Sequence, residues 1–256
     1  MSVPANAAEP AAEPAAESAA AAAPEHRSTP GHRDPKGEAP WAMQLVVRIE
    51  KADPPSRTAA LEAAALATVM LLTDDRAQAD GVWEPAIHRW LDGHIRKHVR
   101  RARGAQWEQS QQLPGVTVTH RGAEARAFVP MSTAGLPPEL RKLQLSGTEL
   151  EDPDRVDDHS AAEPQPDGAL VIAITPLPPL PLGKAAAAAG HAAQLAAMSM
   201  PEERFQLWAG AGFPLLVTHP TPADWLKFSS QAPVTVVDAG FTVVEPNTMT
   251  AAATWR

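Results

Sequence analysis

The chain has 256 residues, enough for one large domain or two of moderate size. It contains no cysteine, which excludes disulfides, thiolate metal sites and a thiol nucleophile. The net charge of -8 comes mainly from two acidic stretches, one before about residue 40 and one over residues 146–167. It therefore does not exclude a nucleic-acid partner for the rest of the chain.

Residues 1–39 are rich in alanine, proline and glutamate. We predict a disordered tail here, because this composition buries too little apolar surface to offset the chain entropy. The tail lacks the basic leader and continuous apolar core of a signal peptide. The most apolar run, residues 63–72, is too short to cross a bilayer core of about 30 Å. We expect a soluble, cytoplasmic protein without a membrane anchor.

Residues 40–145 are predicted to form a first α/β half. β-branched residues predict a strand over residues 43–49, and Ser56 is suited to cap a helix over residues 59–72. A second helix is predicted from about residue 84 to residue 107, because apolar residues recur there at helical spacing. Two short strands are expected to follow, over residues 116–119 and 127–131.

The polar side of this predicted second helix is strongly basic, and Trp90 and Trp107 lie close to it in sequence. A basic stripe with aromatic neighbours is typical of a nucleic-acid-binding surface, although a solvated amphipathic helix has the same pattern. The candidate nucleic-acid contacts are Arg96, Lys97, Arg100, Arg101 and Arg103.

An acidic linker is predicted over residues 146–167, and a second half over residues 168–256. The second half begins with a continuous apolar run at residues 169–174, suited to a buried strand, and an alanine-rich helix over residues 184–198 follows. The later elements are predicted as helices over residues 203–208 and 223–229 and strands over residues 213–218, 234–237, 242–244 and 248–253. This alternation indicates an α/β fold, a three-layer-like α/β sandwich with a small mixed sheet.

The two halves also resemble one another. Each begins with an apolar strand and an alanine-rich helix, and residues 116–122 match residues 234–240 in pattern. We expect a diverged internal duplication, with two independent α/β halves as the alternative. In this alignment His120 and Glu124 stand in place of Asp238 and Thr242, and no lysine matches Lys184. A second copy would therefore have lost its site.

Four features of the second half suggest chemistry. Lys184 begins a helix, where a cation is electrostatically unfavourable, and His191 lies two turns later on the same face. Asp238 ends a strand, and a three-residue hairpin loop at residues 245–247 would place Thr242 and Thr250 opposite one another. A solvated lysine, a half-buried histidine, an ordinary turn and a threonine pair within a sheet explain the same residues without a site.

Taken together, these residues resemble type-two (archaeal and eukaryotic-type) peptidyl-tRNA hydrolases over about residues 168–255. The similarity consists of Lys184, His191-Ala192-Ala193, Phe205-Gln206-Leu207-Trp208, Asp238-Ala239-Gly240, Thr242, Pro246 and Thr250. The chain departs from the family in the turn before Lys184, which is proline-rich rather than basic, and at Ala188, where glutamine is common. It also has few basic residues after Gly168.

The resemblance implies metal-independent hydrolysis, without a cofactor, of the ester that joins a nascent peptide to tRNA. Asp238 would orient or deprotonate a water, and Lys184 would hold a phosphate or the developing oxyanion. Thr242 and Thr250 would fix the geometry, and His191 would be auxiliary. The five cations named above would contact tRNA.

The family forms homodimers, so the first half could replace the partner subunit as a pseudo-dimer within one chain. The protein could also homodimerise. The alternative functions are a non-catalytic tRNA- or RNA-binding or regulatory module on the same fold, and an adaptor that uses its proline-rich segments.

Overall fold

The computed structural model describes residues 37–144, 149–152, 168–238 and 244–255. The first half contains β1 (Trp41–Arg48), α1 (Arg57–Leu72), α2 (Glu84–Leu91), β2 (Lys97–Ala102), α3 (Ala105–Ser110), β3 (Gly115–His120), β4 (Ala123–Phe128), β5 (Met131–Ser132) and α4 (Pro138–Arg141). The second half contains β6 (Leu170–Ile174), α5 (Leu182–Ser199), α6 (Glu202–Gly210), β7 (Leu215–Thr218), α7 (Pro222–Gln231), β8 (Val234–Val237) and β9 (Met249–Trp255). Most of the predicted tail, most of the acidic linker and most of the predicted strand at residues 242–244 lie outside the described residues.

The two sheets have the same topology. The first has the strand order β2-β1-β4-β3, with the short β5 added beside the start of β1, and the second has the order β7-β6-β9-β8. Strand β1 pairs in parallel with β2 and antiparallel with β4. In the same way, β6 pairs in parallel with β7 and antiparallel with β9. Leu45 lies between Val99 and Ala127. Ile172 lies in the same way between Val217 and Ala253, so the registers also correspond.

Helices cover both faces of each sheet. On one face, Leu45 and Val47 of β1 join the main hydrophobic core with α1, while Val46 faces the opposite way into a second cluster with Trp107 and Leu140 of α3 and α4. In the second half, α5 covers one face, and Trp225 of α7 packs with Ala173 and Ala252 on the other. The predicted α/β sandwich with small mixed sheets is therefore confirmed.

The two central helices pack against one another and join the halves into one core. Helix α1 also contacts β7 of the second sheet, and α5 contacts β2 of the first. Alanine-rich faces allow this close approach: a Cβ added to Gly190 would lie 2.9 Å from Thr68 Oγ1 and 3.4 Å from Lys97 Cδ. Residues of both halves belong to the same hydrophobic cluster.

The predicted helix over residues 84–107 is wrong. Helix α2 ends at Leu91, where the Asp92 N–H caps the last turn by donating to His88 O, and the chain then turns at Gly93 into β2. Residues 97–102 pair in parallel with β1, so their side chains alternate between the two faces of the sheet instead of forming one basic stripe. The apolar spacing that indicated a continuous helix spans two elements and the turn between them.

Most other predicted elements are confirmed within a few residues. The Ser56 hydroxyl accepts a hydrogen bond from Ala59 N at 3.2 Å and caps α1 as expected. The second strand of the first hairpin begins earlier than predicted, at Ala123 rather than residue 127. None of the helices in the described ranges combines the length and hydropathy that a bilayer crossing requires.

Candidate functional site

Lys184 and Asp238 form an ion pair in the second half. Lys184 lies in the first turn of α5, and Asp238 is the first residue after β8. The Lys184 Nζ donates to Asp238 Oδ2, and the two side chains are 17% and 21% exposed. The pair is thus mostly buried while solvent still reaches both groups. The ion pair also explains why a cation is tolerated in the first turn of a helix, because a carboxylate neutralises it.

The backbone around Asp238 is held by the neighbouring strand. The Asp238 N–H donates to Thr248 O, and its carbonyl accepts from Asn247 N, each at 2.8 Å. These two bonds close the connection from β8 to β9, of which residues 239–243 lie outside the described part of the chain. Bulges often re-aim side chains beside functional sites. One occurs in β9 next to the end of β8, because Val236 pairs with Ala251 but Val237 with Met249.

Thr250 is the extra residue of this bulge and is buried. Its hydroxyl donates to Val236 O at 3.3 Å, and its carbonyl accepts from Thr175 N at 3.1 Å. Thr250 therefore supports the strand end from which Asp238 projects. The predicted cross-strand partner, Thr242, lies outside the described residues.

Two lysines act electrostatically on His191. Burial lowers the pKa of His191 well below its ordinary value, and the positive charges of Lys97 and Lys184 lower it further. The imidazole is therefore neutral at neutral pH. Lys97 comes from the first half: its Nζ donates to Gln194 Oε1 of α5, and its ammonium lies 5.0 Å from the centre of the Trp90 ring. Burial also lowers the pKa of Lys97 well below the ordinary lysine value.

The residues at 149–152 cap both central helices. Glu149 accepts from Leu182 N, the first residue of α5, at 3.2 Å and pairs with Arg57 at 3.0 Å. Asp152 accepts from Thr58 N of α1 at 2.8 Å. An acidic side chain thus already lies at the N-terminus of α5, two residues before Lys184, where an anionic ligand would be favoured.

The corresponding edge of the first half is built differently. The register places His120 at the position of Asp238, as the alignment predicted, and it places Glu124 opposite Thr119, which corresponds to Met249 opposite Val237 rather than to Thr242. Arg57 follows Leu45 at the same spacing as Lys184 follows Ile172, so a cation does match Lys184. This correspondence depends on the strand register, which the short sequence match did not provide.

In the described part of the first half, the residues at the corresponding positions have other partners. Arg57 donates to Leu180 O at 2.6 Å and pairs with Glu149, while His120 contacts Glu62 at 3.1 Å. Glu62 is fully buried in α1, and its second oxygen accepts from Val217 N at 3.0 Å. Sequence reasoning missed Glu62, although a single acid within an apolar, alanine-rich helix is a signal for a buried polar contact.

The five predicted tRNA contacts do not form one surface. Lys97 and Arg100 are buried: Lys97 binds Gln194, and Arg100 binds Gln44 at 3.1 Å and Leu143 O at 3.0 Å on the opposite face of the sheet. These two residues are therefore not available to a nucleic acid, contrary to the prediction. Arg96 and Arg101 are partly exposed, and Arg103 is exposed.

Within the described ranges, no group of three or more His, Cys, Asp or Glu side chains is arranged to hold a metal ion. Comparisons of the chain with protein-family models, with curated proteins and with solved structures find no match. The features that bear on function are therefore the geometry of the second half and the sequence resemblance.

Proposed function

We propose that the protein is a peptidyl-tRNA hydrolase whose active site is the Lys184–Asp238 pair. One observation carries the proposal: two residues that are 54 positions apart, and that the resemblance names as catalytic, are in direct contact. The partial exposure of both side chains supports the same function, because water and a substrate carbonyl can reach them. Since the substrate arises during translation, we propose a cytoplasmic site of action.

In the proposed reaction a water adds to the carbonyl of the ester between the peptide and the tRNA 3′ ribose. The Asp238 carboxylate orients this water and accepts its proton, a contribution typically worth about 10²- to 10⁴-fold. The Lys184 ammonium, held by Asp238, stabilises the negative charge that develops on the carbonyl oxygen. The ester C–O bond then breaks, the ribose oxygen takes up a proton, and the peptide acid and free tRNA are released.

The remaining residues have supporting roles in this proposal. The neutral His191 adds no further positive charge beside Lys184. Thr250 holds the end of β8 through Val236 O. Thr242 remains a candidate from the resemblance alone. The first half, which has the same topology and packs through α1 against α5, takes the place of a partner subunit, so we propose a pseudo-dimer within one chain rather than a homodimer.

A second function, a non-catalytic RNA-binding module, is favoured by one observation. Glu149 lies at the N-terminus of α5, where a substrate phosphate would bind, and it must move if that phosphate uses the Leu182 N–H. A module that lost catalysis would tolerate a permanent acid there. The proposed hydrolase requires that Glu149, whose side chain is 61% exposed, gives way to substrate.

The test is release of the blocked amino acid from an N-acetylated aminoacyl-tRNA by the native chain and by Asp238→Ala and Lys184→Ala. We expect turnover by the native chain and its loss in both variants, with circular dichroism showing that they fold. Salt-sensitive tRNA binding by the native chain without turnover would support the binding module instead. If the native chain shows no turnover and no tRNA binding, both functions are contradicted.

A further inference from the structure

A cationic cavity of about 260 Å³ lies at the end of the first sheet, and neither Lys184 nor Asp238 is among the residues that line it. Its polar lining consists of three cations and two amide side chains, and Ile49 contributes apolar surface. The polar residues are Arg101, Arg103, Lys142, Gln106 and Gln144.

The cavity lies where open α/β sheets bind ligands. Strands β1 and β2 run in parallel, and Ile49 and Arg103 are the residues that follow their carboxyl ends. Ligands of such sheets bind beyond the carboxyl ends of the strands. In the second sheet β6 and β8 are both antiparallel to β9, so Asp238 also follows a carboxyl end at the corresponding edge. The cavity and the ion pair thus lie at corresponding ends of the two sheets, the cavity in the first sheet and the ion pair in the second.

The electrostatics of the cavity favour an anion. Among the described residues that line it there is no carboxylate. Glu50, which interacts with Arg103, accepts from Gly104 N at 2.9 Å and from Arg48 Nε at 3.0 Å, and these donors lower its pKa. Arg101 donates to Gln144 Oε1, so the amide nitrogen is the group that Gln144 can offer to a ligand. Arg103 and Lys142 are exposed, and an anion can reach them from solvent.

Size and donor chemistry indicate the class of ligand. The cavity is smaller than the roughly 300–1,000 Å³ of pockets that enclose drug-sized organic ligands. Arginine, lysine and amide side chains are the groups that contact phosphate oxygens in nucleic-acid complexes. We propose that this cavity binds a backbone phosphate of RNA and so anchors tRNA on the first half. The choice of RNA, as opposed to free phosphate, rests on the proposed function.

The test measures the binding of uncharged tRNA by fluorescence anisotropy at several salt concentrations, for the native chain, Arg103→Gln, Lys142→Gln and the double variant. Arg141→Gln is the matched control, because Arg141 is exposed, neighbours Lys142 and does not line the cavity. For each single variant we expect the slope of log affinity against log salt to become about one unit less steep. For the double variant we expect affinity at low salt to fall roughly tenfold or more.

If the double variant binds tRNA with the same affinity as Arg141→Gln, the inference is overturned. So would a cavity that binds only free phosphate, which would appear as a ³¹P NMR shift of inorganic phosphate lost in the double variant while tRNA affinity is unchanged. Failure of the hydrolase proposal is distinguishable: the native chain would then not turn over substrate, yet its tRNA affinity would still depend on Arg103 and Lys142. Conversely, turnover with cavity-independent binding would overturn only the inference.

Discussion

The two halves of the molecule share strand order, strand direction and register, yet their sheet edges carry opposite arrangements of charge. In the second half a helix cation meets a hairpin acid, as Lys184 binds Asp238. In the first half a helix acid meets a hairpin base, as Glu62 binds His120. The same backbone framework therefore supports a pair in which both side chains are partly exposed in one half, and in the other a contact between a buried acid and a base that is 27% exposed.

The last hairpins of the two sheets also differ in the length of their connections. In the first half His120 pairs directly with Ala123, and only Arg121 and Gly122, both at positive φ, form the turn. In the second half the connection runs from Asp238 to Asn247. The two-residue turn closes the first hairpin directly, while in the second half a bulge lies next to the end of β8 and the Asp238 side chain contacts Lys184 of α5. From this comparison we expect that the two halves divide their roles.

The largest expected effect comes from replacing the two residues at equivalent register positions, Asp238 and His120. Asp238→Asn keeps the shape of the side chain but removes the base, so we expect hydrolysis of N-acetylated aminoacyl-tRNA to slow by about 10²- to 10⁴-fold. His120→Asn should keep nearly native initial rates, since His120 contacts Glu62 and not the ion pair. Equal losses in both variants would contradict the division of roles.

Glu62 offers a way to break the contact between the halves. Glu62→Ala should lower the free energy of unfolding by about 3 kcal/mol, because it leaves the buried Val217 N–H without its acceptor and removes packed atoms. Glu62→Gln should cost less, since the amide oxygen can still accept that hydrogen bond. Urea unfolding followed by tryptophan fluorescence measures both. Native-like stability of Glu62→Ala would show that the contact does not hold the halves together.

Gly190 tests how closely the central helices must approach. Gly190→Ala should destabilise the protein by about 1–3 kcal/mol, because the new methyl group would lie 2.9 Å from Thr68 Oγ1. Gly210→Ala is the matched control: nothing lies within 4 Å of its added Cβ, and alanine favours a helix by up to about 1 kcal/mol. Thermal unfolding of the two variants compares them directly. A Gly190→Ala variant as stable as Gly210→Ala would mean that the helices can separate at little cost.

The smallest expected effect is a dependence of stability on pH that comes from His191. Its folded pKa is well below the ordinary value of 6.5, so on acidification the unfolded chain binds this proton first. The free energy of unfolding should therefore fall as pH drops from about 6.5 towards the folded pKa, by at most about 1.4 kcal/mol per pH unit. His191→Asn should flatten this part of the curve between pH 7 and pH 5 in urea titrations. Parallel curves for the two proteins would exclude the effect.

Local patterns were sufficient for most of the fold. The β-branched run of β1 and the Ser56 cap of α1 act within a few residues, so sequence predicts them directly. Strand β2 was not predictable in this way, because its cations alternate between α5 and the opposite face of the sheet only once β1 is its neighbour. A glycine at position 93 was the local signal that the helix ends.

The candidate site shows the same division. The motif identified Lys184 and Asp238 as candidate site residues. They come into contact because β6 and β8, which precede them, end at the same side of the sheet. The Glu62–Val217 and Lys97–Gln194 contacts depend on how one half packs against the other. Residue spacing within a single half contains no information about that packing.

The most direct test of the central claim is a double-mutant cycle on hydrolysis with Lys184→Met, Asp238→Asn and the double variant. If the two side chains act as one unit, the double variant should be no slower than the slower single variant. Losses that multiply would show that the two residues act independently. Turnover that stays at the native level in the double variant would contradict the assignment of the active site to this pair.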